Sequence, residues 1–294
     1  MDLFVRFWGT RGSIPTPGDP TRRFGGNTSC VEIRIGNQLV ICDAGTGLRE
    51  LGLDLPQRGV ERLDMHMFFS HMHWDHIQGF PFFVPAYSPA NTLFVYETSP
   101  GDDRVQRLLH GQMKSDHFPV SFRDLGSLMV ARHFDRAGKM AIGRVRVACF
   151  EQHHPGRSFA YAFECDGKKV VYATDNELDQ TLVEPARADS HPHELRVIPA
   201  PFVDFCRGAD LLIADGQYTD EEYASKVGWG HARANTVVDL AVQAGVKQCA
   251  IFHHDPLHTD ERVDAIIKEG RARARAHGSE LALFGAREGL ELKL

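Results

Sequence analysis

With 294 residues, 43% of them hydrophobic and 24% charged, the chain can build a sizeable core and is neither disordered nor fibrous in composition. No stretch approaches the roughly 18 consecutive apolar residues of a membrane span. A formal net charge of −6 argues against a surface that neutralises many phosphates of a long nucleic acid. The six cysteines stand singly, with no C-x-x-C pair, which reads as buried thiols rather than a redox or zinc-knuckle site.

Met1 to Phe7 lacks the basic start, apolar stretch and small-residue cleavage site of a secretory leader. It reads as a first strand, and the expectation is a cytoplasmic protein. Val31, Ile33 and Ile35 alternate at period two, and Leu39-Val40-Ile41 runs into Asp43-Ala44-Gly45-Thr46-Gly47, a strand entering a tight turn. Further apolar runs occupy Met65 to Phe69, Val145 to Phe150, Lys169 to Tyr172, Leu211 to Ile213 and Cys249 to Phe252. Each is closely followed by His or Asp. Helical spacing appears in Val237, Val238, Leu240, Ala241 and Ala244, closed by Gly245, and again from Val263 through Ile266 and Ile267 to Gly270. Two segments rich in Pro and aromatics, 80–87 and 192–205, read as loops or lids near a site, or as plain surface loops. Strands alternating with helices and no linker predict one α/β domain over 1–294.

The decisive stretch is His71-Met72-His73-Trp74-Asp75-His76, directly after a strand. Three imidazoles and a carboxylate this close are costly in a core unless something coordinates them, and a divalent metal accepts neutral His nitrogens and carboxylate oxygens. Four residues cannot saturate two ions, so more ligands are expected at later strand ends. His154, Asp175 and His253 stand there. His71, His73 and His154 would serve one ion, Asp75, His76 and His253 the other, with Asp175 bridging. A water shared by two such ions loses its proton near neutral pH and becomes a nucleophile. Zinc suits the donors, and manganese or iron would fit them too.

On these motifs the chain resembles the metallo-β-lactamase superfamily along essentially its whole length. Within it the chain is most similar to the phosphodiesterase branch that includes tRNase Z and the cyclic phosphodiesterase of phosphonate breakdown. The resemblance rests on Gly9-Thr10-Arg11-Gly12-Ser13-Ile14-Pro15, Gly26-Asn27-Thr28-Ser29, Asp43-Ala44-Gly45, the histidine run, His154 with Phe159-Ala160-Tyr161 behind it, and Asp175. It implies a four-layer αββα sandwich with the metal site at strand ends. It also implies a structural role for Asp43 beneath the site, and selects His154 over His153 and His253 over His254. Asp215 and His231 stand where that branch has a carboxylate orienting a proton-donating histidine, so Asp75, Asp215 and His231 are the residues expected to act in catalysis. As an alternative, Asp215 caps a turn and His231 anchors a loop.

Asp at 175, where the common β-lactamases have Cys, and His at 73, where flavodiiron proteins have Glu, separate the chain from those relatives. Bacterial tRNA-processing enzymes insert an arm between the third histidine motif and the bridging aspartate. Only twenty residues lie between His154 and Asp175 here, and they read as two strands around an Asp166-Gly167 turn. The expected substrate is therefore a small phosphodiester such as a cyclic nucleotide, with Phe82, Phe83, Tyr87 and Trp229 available to stack on a base. The competing expectations are an RNA endonuclease like tRNase Z, a lactone or thioester hydrolase, and a metal-loaded sensor without turnover. A homodimer is an open expectation.

Overall fold

The computed structural model describes residues 2–97 and 103–294. Strands β1 (Leu3–Gly9), β2 (Cys30–Ile35), β3 (Gln38–Cys42), β4 (Asp64–Phe68), β5 (Thr92–Glu97) and β6 (Leu128–His133) belong to the first sheet. Strands β7 (Lys139–Ile142), β8 (Val145–Gln152), β9 (Ser158–Cys165), β10 (Lys168–Ala173), β11 (Leu211–Asp215), β12 (Gln248–Phe252) and β13 (Ala282–Gly285) form the second. The last strand, β14 (Glu291–Lys293), returns to the first sheet. The orders are β14-β1-β2-β3-β4-β5-β6 and β13-β12-β11-β10-β9-β8-β7.

Three apolar layers follow from the alternation of side chains along the strands. Val5, Phe7, Ile33 and Val40 from the first sheet meet Phe163, Val170, Ile213 and Phe252 from the second in a middle core. The opposite face of the first sheet, with Ile41, Met65 and Val95, packs on Leu48 and Leu51 of α1 (Gly47–Asp54) and on Leu109 of α2 (Arg104–Gln112). Behind the second sheet lie α3 (Pro185–Ser190), α4 (Ala200–Cys206), α5 (Asp220–Tyr223), α6 (Ala234–Gln243) and α7 (Asp260–Ala276). Val237 and Val238 of α6 and Val263 and Ile267 of α7 close that outer core. This is the expected αββα sandwich, and it explains why central strands read as continuous apolar runs: both faces are covered.

Helix α6 ends near Gly245, as its spacing predicts. Helix α7 does not end at Gly270 but continues to Ala276. That glycine permits close packing: a Cβ there would lie 2.6 Å from Leu283 Cδ2 and 3.1 Å from Val238 Cγ2. The Pro-rich segment 80–87 is mostly packing rather than a lid, and 192–205 is mixed, exposed at 192–194 and buried at Ile198, Phe202 and Val203. Phe80, Phe83 and Ala86 are buried beneath the first sheet, and Phe202 and Val203 of α4 beneath the second. All six cysteines are unpaired, Cys149 partly exposed and the others buried. Among the described residues no helix is long and apolar enough to cross a membrane.

Strands β3 and β4 are parallel, as are β10, β11 and β12, and β8 points with β10 because both run antiparallel to β9. Their carboxyl ends therefore open on one edge of the sandwich. Three strand exits, Asp43, Asp175 and His253, adopt left-handed backbone with φ of 60°, 55° and 59°. Non-glycine residues in that region cost roughly 1–3 kcal/mol each and persist where surrounding contacts over-determine them.

Candidate metal centre

The segment after β4 makes a single 3-10 turn at Trp74–His76, closed by the His76 N–H donating to the His73 carbonyl at 3.0 Å. His71 and His73 precede the turn, and the turn carries Asp75 and His76 to the other side. His154, after β8, joins the first two. His73 Nδ1 lies 3.1 Å from His154 Nε2, and ligand atoms of His71, His73 and His154 all fall within 4.8 Å of one another. A second group forms from Asp75, His76 and His253. His76 Nε2 and His253 Nε2 each stand 3.2 Å from Asp75 Oδ2 and 3.3 Å from each other. Asp175, at the end of β10, faces both groups: Oδ2 is 3.3 Å from His76 Nε2, and Oδ1 is 3.7 Å from His71 Nε2.

The protons on these rings are fixed by groups that can only accept. His154 Nδ1 donates to the Gly230 carbonyl at 2.8 Å, His76 Nδ1 to Asp43 Oδ2 at 2.8 Å, and His253 Nδ1 to Gln217 Oε1 at 2.8 Å. The Gln217 amide is held in that orientation because its nitrogen donates to Asp255 Oδ2 at 3.2 Å. Each ring thus turns an Nε2 lone pair inward, and His71 Nε2 is buried with no hydrogen-bond partner at all. Converging lone pairs and carboxylates need a cation between them, and the nitrogen and oxygen donors suit zinc, manganese or iron. Without one, burial pushes His71 well below the ordinary histidine range. Burial would raise Asp75 and Asp175, yet the imidazoles around them, His76 foremost for Asp75 and His253 for Asp175, hold both well below the carboxylate range.

Asp43 lies beneath this array, 1% exposed. Besides His76 Nδ1, its carboxylate accepts from the Ser70 N–H at 2.7 Å, the Ser70 hydroxyl at 2.8 Å and the Tyr172 hydroxyl at 2.7 Å. The opening motif contributes through the Ser13 N–H, which donates to Asp75 Oδ2 at 2.8 Å. Arg11, fully buried, spans the Gly25, Asp255 and His258 carbonyls.

Asp215 ends β11 and accepts the His231 Nδ1 proton at 2.7 Å. The His231 ring stacks on His253 at 4.8 Å and lies 5.5 Å from His154. Burial disfavours its charge, but Asp215, then Asp175 and Asp75, overcome this and push His231 up to about 9.

The seven residues singled out as ligands, together with Asp215 and His231, are thus brought together. His153 is exposed, and His254 faces away, bonding the Ala286 carbonyl at 2.8 Å and lying edge-on to Phe24. Of the aromatics considered for stacking, Phe83 is fully buried and Phe82 packs edge-on against Phe118. The Tyr87 hydroxyl donates to the Pro81 carbonyl. Trp229 stays 59% exposed, with Lys226 Nζ 3.9 Å above its ring. Sequence reasoning missed Gln217, which sets the His253 tautomer, and Glu177, whose carboxylate accepts from Tyr223, Gly228 and Gly230. Neither has a motif, because each acts through contacts made only on folding.

A family model described as a beta-lactamase superfamily domain matches residues 38–254. Ribonuclease Z from Haloarcula marismortui is 21% identical over 329 aligned positions, covering 100% of this chain and 97% of the relative. Ribonuclease Z from Halobacterium salinarum is 27% identical over 298 positions, covering 86% and 87%. The metallo-beta-lactamase fold protein YhfI from Bacillus subtilis superimposes with a TM-score of 0.70 at 18% identity, over 100% of this chain and 99% of its own. The chain therefore belongs to the β-lactamase superfamily and is a metal-dependent hydrolase of the metallo-β-lactamase fold.

Proposed function

We propose that the protein is a phosphodiesterase working with two divalent ions, zinc first among them. The observation that carries this reading is the pair of inward-facing donor clusters on either side of Asp175, with His231 held by Asp215 beside them. His71, His73 and His154 would hold one ion, Asp75, His76 and His253 the other, and Asp175 would serve both. When bound, such ions supply Lewis acidity and make a water easy to ionise at neutral pH.

The remaining chemistry falls to the chain's own residues. Asp43, Gln217 and the Gly230 carbonyl keep the imidazole protons on Nδ1, so the rings present their other nitrogens inward. Asp215 holds the Nδ1 proton of His231 and its charge favours the imidazolium, whose Nε2 proton would pass to a leaving alkoxide. An alkoxide needs that proton and a thiolate does not, which supports cleavage of an oxygen ester over thioester hydrolysis.

The substrate we favour is a small diester. The residues between His154 and Asp175 make the β9–β10 hairpin, with no arm for grasping folded RNA at that place. A second reading, RNA endonuclease, is favoured by the ribonuclease Z relatives that align along nearly the whole chain. One assay separates these: bis(p-nitrophenyl) phosphate, cyclic nucleotides, a lactone, a thioester and a precursor tRNA offered to one preparation of measured metal content. Turnover of the cyclic nucleotides, whose leaving group is an alkoxide, should fall roughly 100-fold or more in His231→Ala while metal is retained, and that of bis(p-nitrophenyl) phosphate, whose phenolate leaves without a proton, much less. Undiminished cyclic-nucleotide turnover in that variant refutes the proton-donor role, and turnover of carbon esters alone refutes the phosphodiesterase.

A further inference from the structure

We infer that Glu177 is a positioning residue that sets both the third histidine of the first metal group and the proton donor, through one carboxylate and one glycine, Gly230. The inference rests on the reading of His154 as a ligand and His231 as a proton donor.

Glu177 lies two residues past Asp175 and is 1% exposed. A buried carboxylate is costly unless its oxygens are satisfied, and these take three donors. Oε1 accepts from the Tyr223 hydroxyl at 2.7 Å and the Gly228 N–H at 2.7 Å, and Oε2 accepts from the Gly230 N–H at 2.8 Å. The Glu177 N–H donates in turn to the His153 carbonyl at 2.8 Å. A single residue therefore joins the exit of β8, which carries His154, to the loop running from Tyr223 to His231.

Gly230 is the point where the two functions meet. Its N–H is fixed by Glu177, its carbonyl takes the Nδ1 proton of His154 at 2.8 Å, and the next residue is His231. The carbonyl can hold the His154 tautomer only if Gly230 is held in place, and Glu177 anchors the Trp229–Gly230 peptide, which joins at the Gly230 Cα to the peptide that carries this carbonyl. Gly230 has φ of 90°, and a Cβ there would lie 2.3 Å from His154 Nδ1, so the close approach admits no side chain. Apolar packing does little to hold this loop: Val227 is 55% exposed and Trp229 59%. Hydrogen bonds to Glu177 must do what a core does elsewhere.

The test compares Glu177→Gln and Tyr223→Phe with wild type. Metal retention is read by competition with a chelator, turnover by kcat and KM on a cyclic nucleotide, whose leaving group is an alkoxide, and folding by urea unfolding. In Glu177→Gln an NH2 group faces a backbone donor. We expect one of two metal equivalents to be held about 10–100-fold more weakly, and kcat to fall at least about tenfold with KM changed less than about threefold. Tyr223→Phe leaves both backbone anchors and should stay within about threefold of wild type in every reading. Lower unfolding stability in Glu177→Gln with wild-type metal retention and kcat overturns the inference, since a merely structural carboxylate would behave so. Should Glu177→Gln not fold, Glu177→Asp keeps the charge and draws the oxygens back by one C–C bond. The same losses are expected there, and wild-type metal retention overturns the inference. Metal retention is read without substrate, so a wild-type protein that hydrolyses no diester refutes the functional reading alone.

Discussion

Replacing Asp43 by Asn probes the support beneath the metal groups without changing shape. Three donors meet at Oδ2, from the Ser70 hydroxyl, His76 Nδ1 and the Tyr172 hydroxyl, and the Ser70 N–H meets Oδ1. If the Asn carbonyl keeps the crowded side, three bonds lose their charge assistance, about 1 kcal/mol each. The amide nitrogen then faces the Ser70 N–H, leaving a buried donor unsatisfied at a cost of about 1–3 kcal/mol. After local relaxation, the loss expected is about 3–5 kcal/mol, at the upper end of what single substitutions do. Urea unfolding of the metal-free protein measures it directly. Chelator competition on the loaded protein should show metal held about 10–100-fold more weakly, because His76 loses the acceptor that fixes its tautomer. A metal-free variant within about 1 kcal/mol of wild type refutes the argument that this carboxylate carries four obligatory bonds.

Two further predictions use other parts of the fold. Burial pushes His66 down to about 4, with Arg132 adding to this and Asp64 opposing it; the ring stacks on Phe94 at 4.8 Å and meets the Tyr96 hydroxyl at 2.6 Å. Folded His66 is neutral where the unfolded chain binds a proton, so its contribution is intact above pH 6.5 and is lost as pH falls towards about 4. About 3 kcal/mol is at stake. Metal-free His66→Phe should lose correspondingly less stability than wild type between neutral pH and about pH 4, and equal losses contradict the assignment. Gly12→Ala would place a Cβ 2.4 Å from His253 Nδ1, forcing the ring off Gln217. Metal retention should fall at least about tenfold with an unchanged circular dichroism spectrum, and full retention would show that the ring has room to yield.

Much of the candidate site can be read in the sequence because its ligands sit at the ends of strands whose apolar runs are themselves visible. His71 to His76 crowd polar groups where a core run stops, and Asp175, Asp215 and His253 repeat that signal. The doublets are a different matter. His153 and His154 are adjacent in the chain, and local pattern gives neither ring a direction; what singles out His154 in space is the Gly230 carbonyl, seventy-six residues away. The Pro-rich segment at 80–87 misleads for the same reason. Its composition suits a loop, but the first sheet and α1 supply an apolar face that buries Phe80 and Phe83.

Sequence alone determined an α/β domain of strands alternating with helices and a cluster of histidines and carboxylates at strand ends, because period-two burial and abrupt polar strand ends are local properties of the chain. The resemblance implied the sandwich and the pairing of Asp215 with a later histidine. The folded structure alone decided which nitrogen of each ring faces inward, that Gln217 and Glu177 belong to the site, and that Gly270 and Gly12 are packing positions. Those outcomes depend on hydrogen bonds and close approaches between segments far apart in the chain. Neither leaves a periodic trace in the residues that make it.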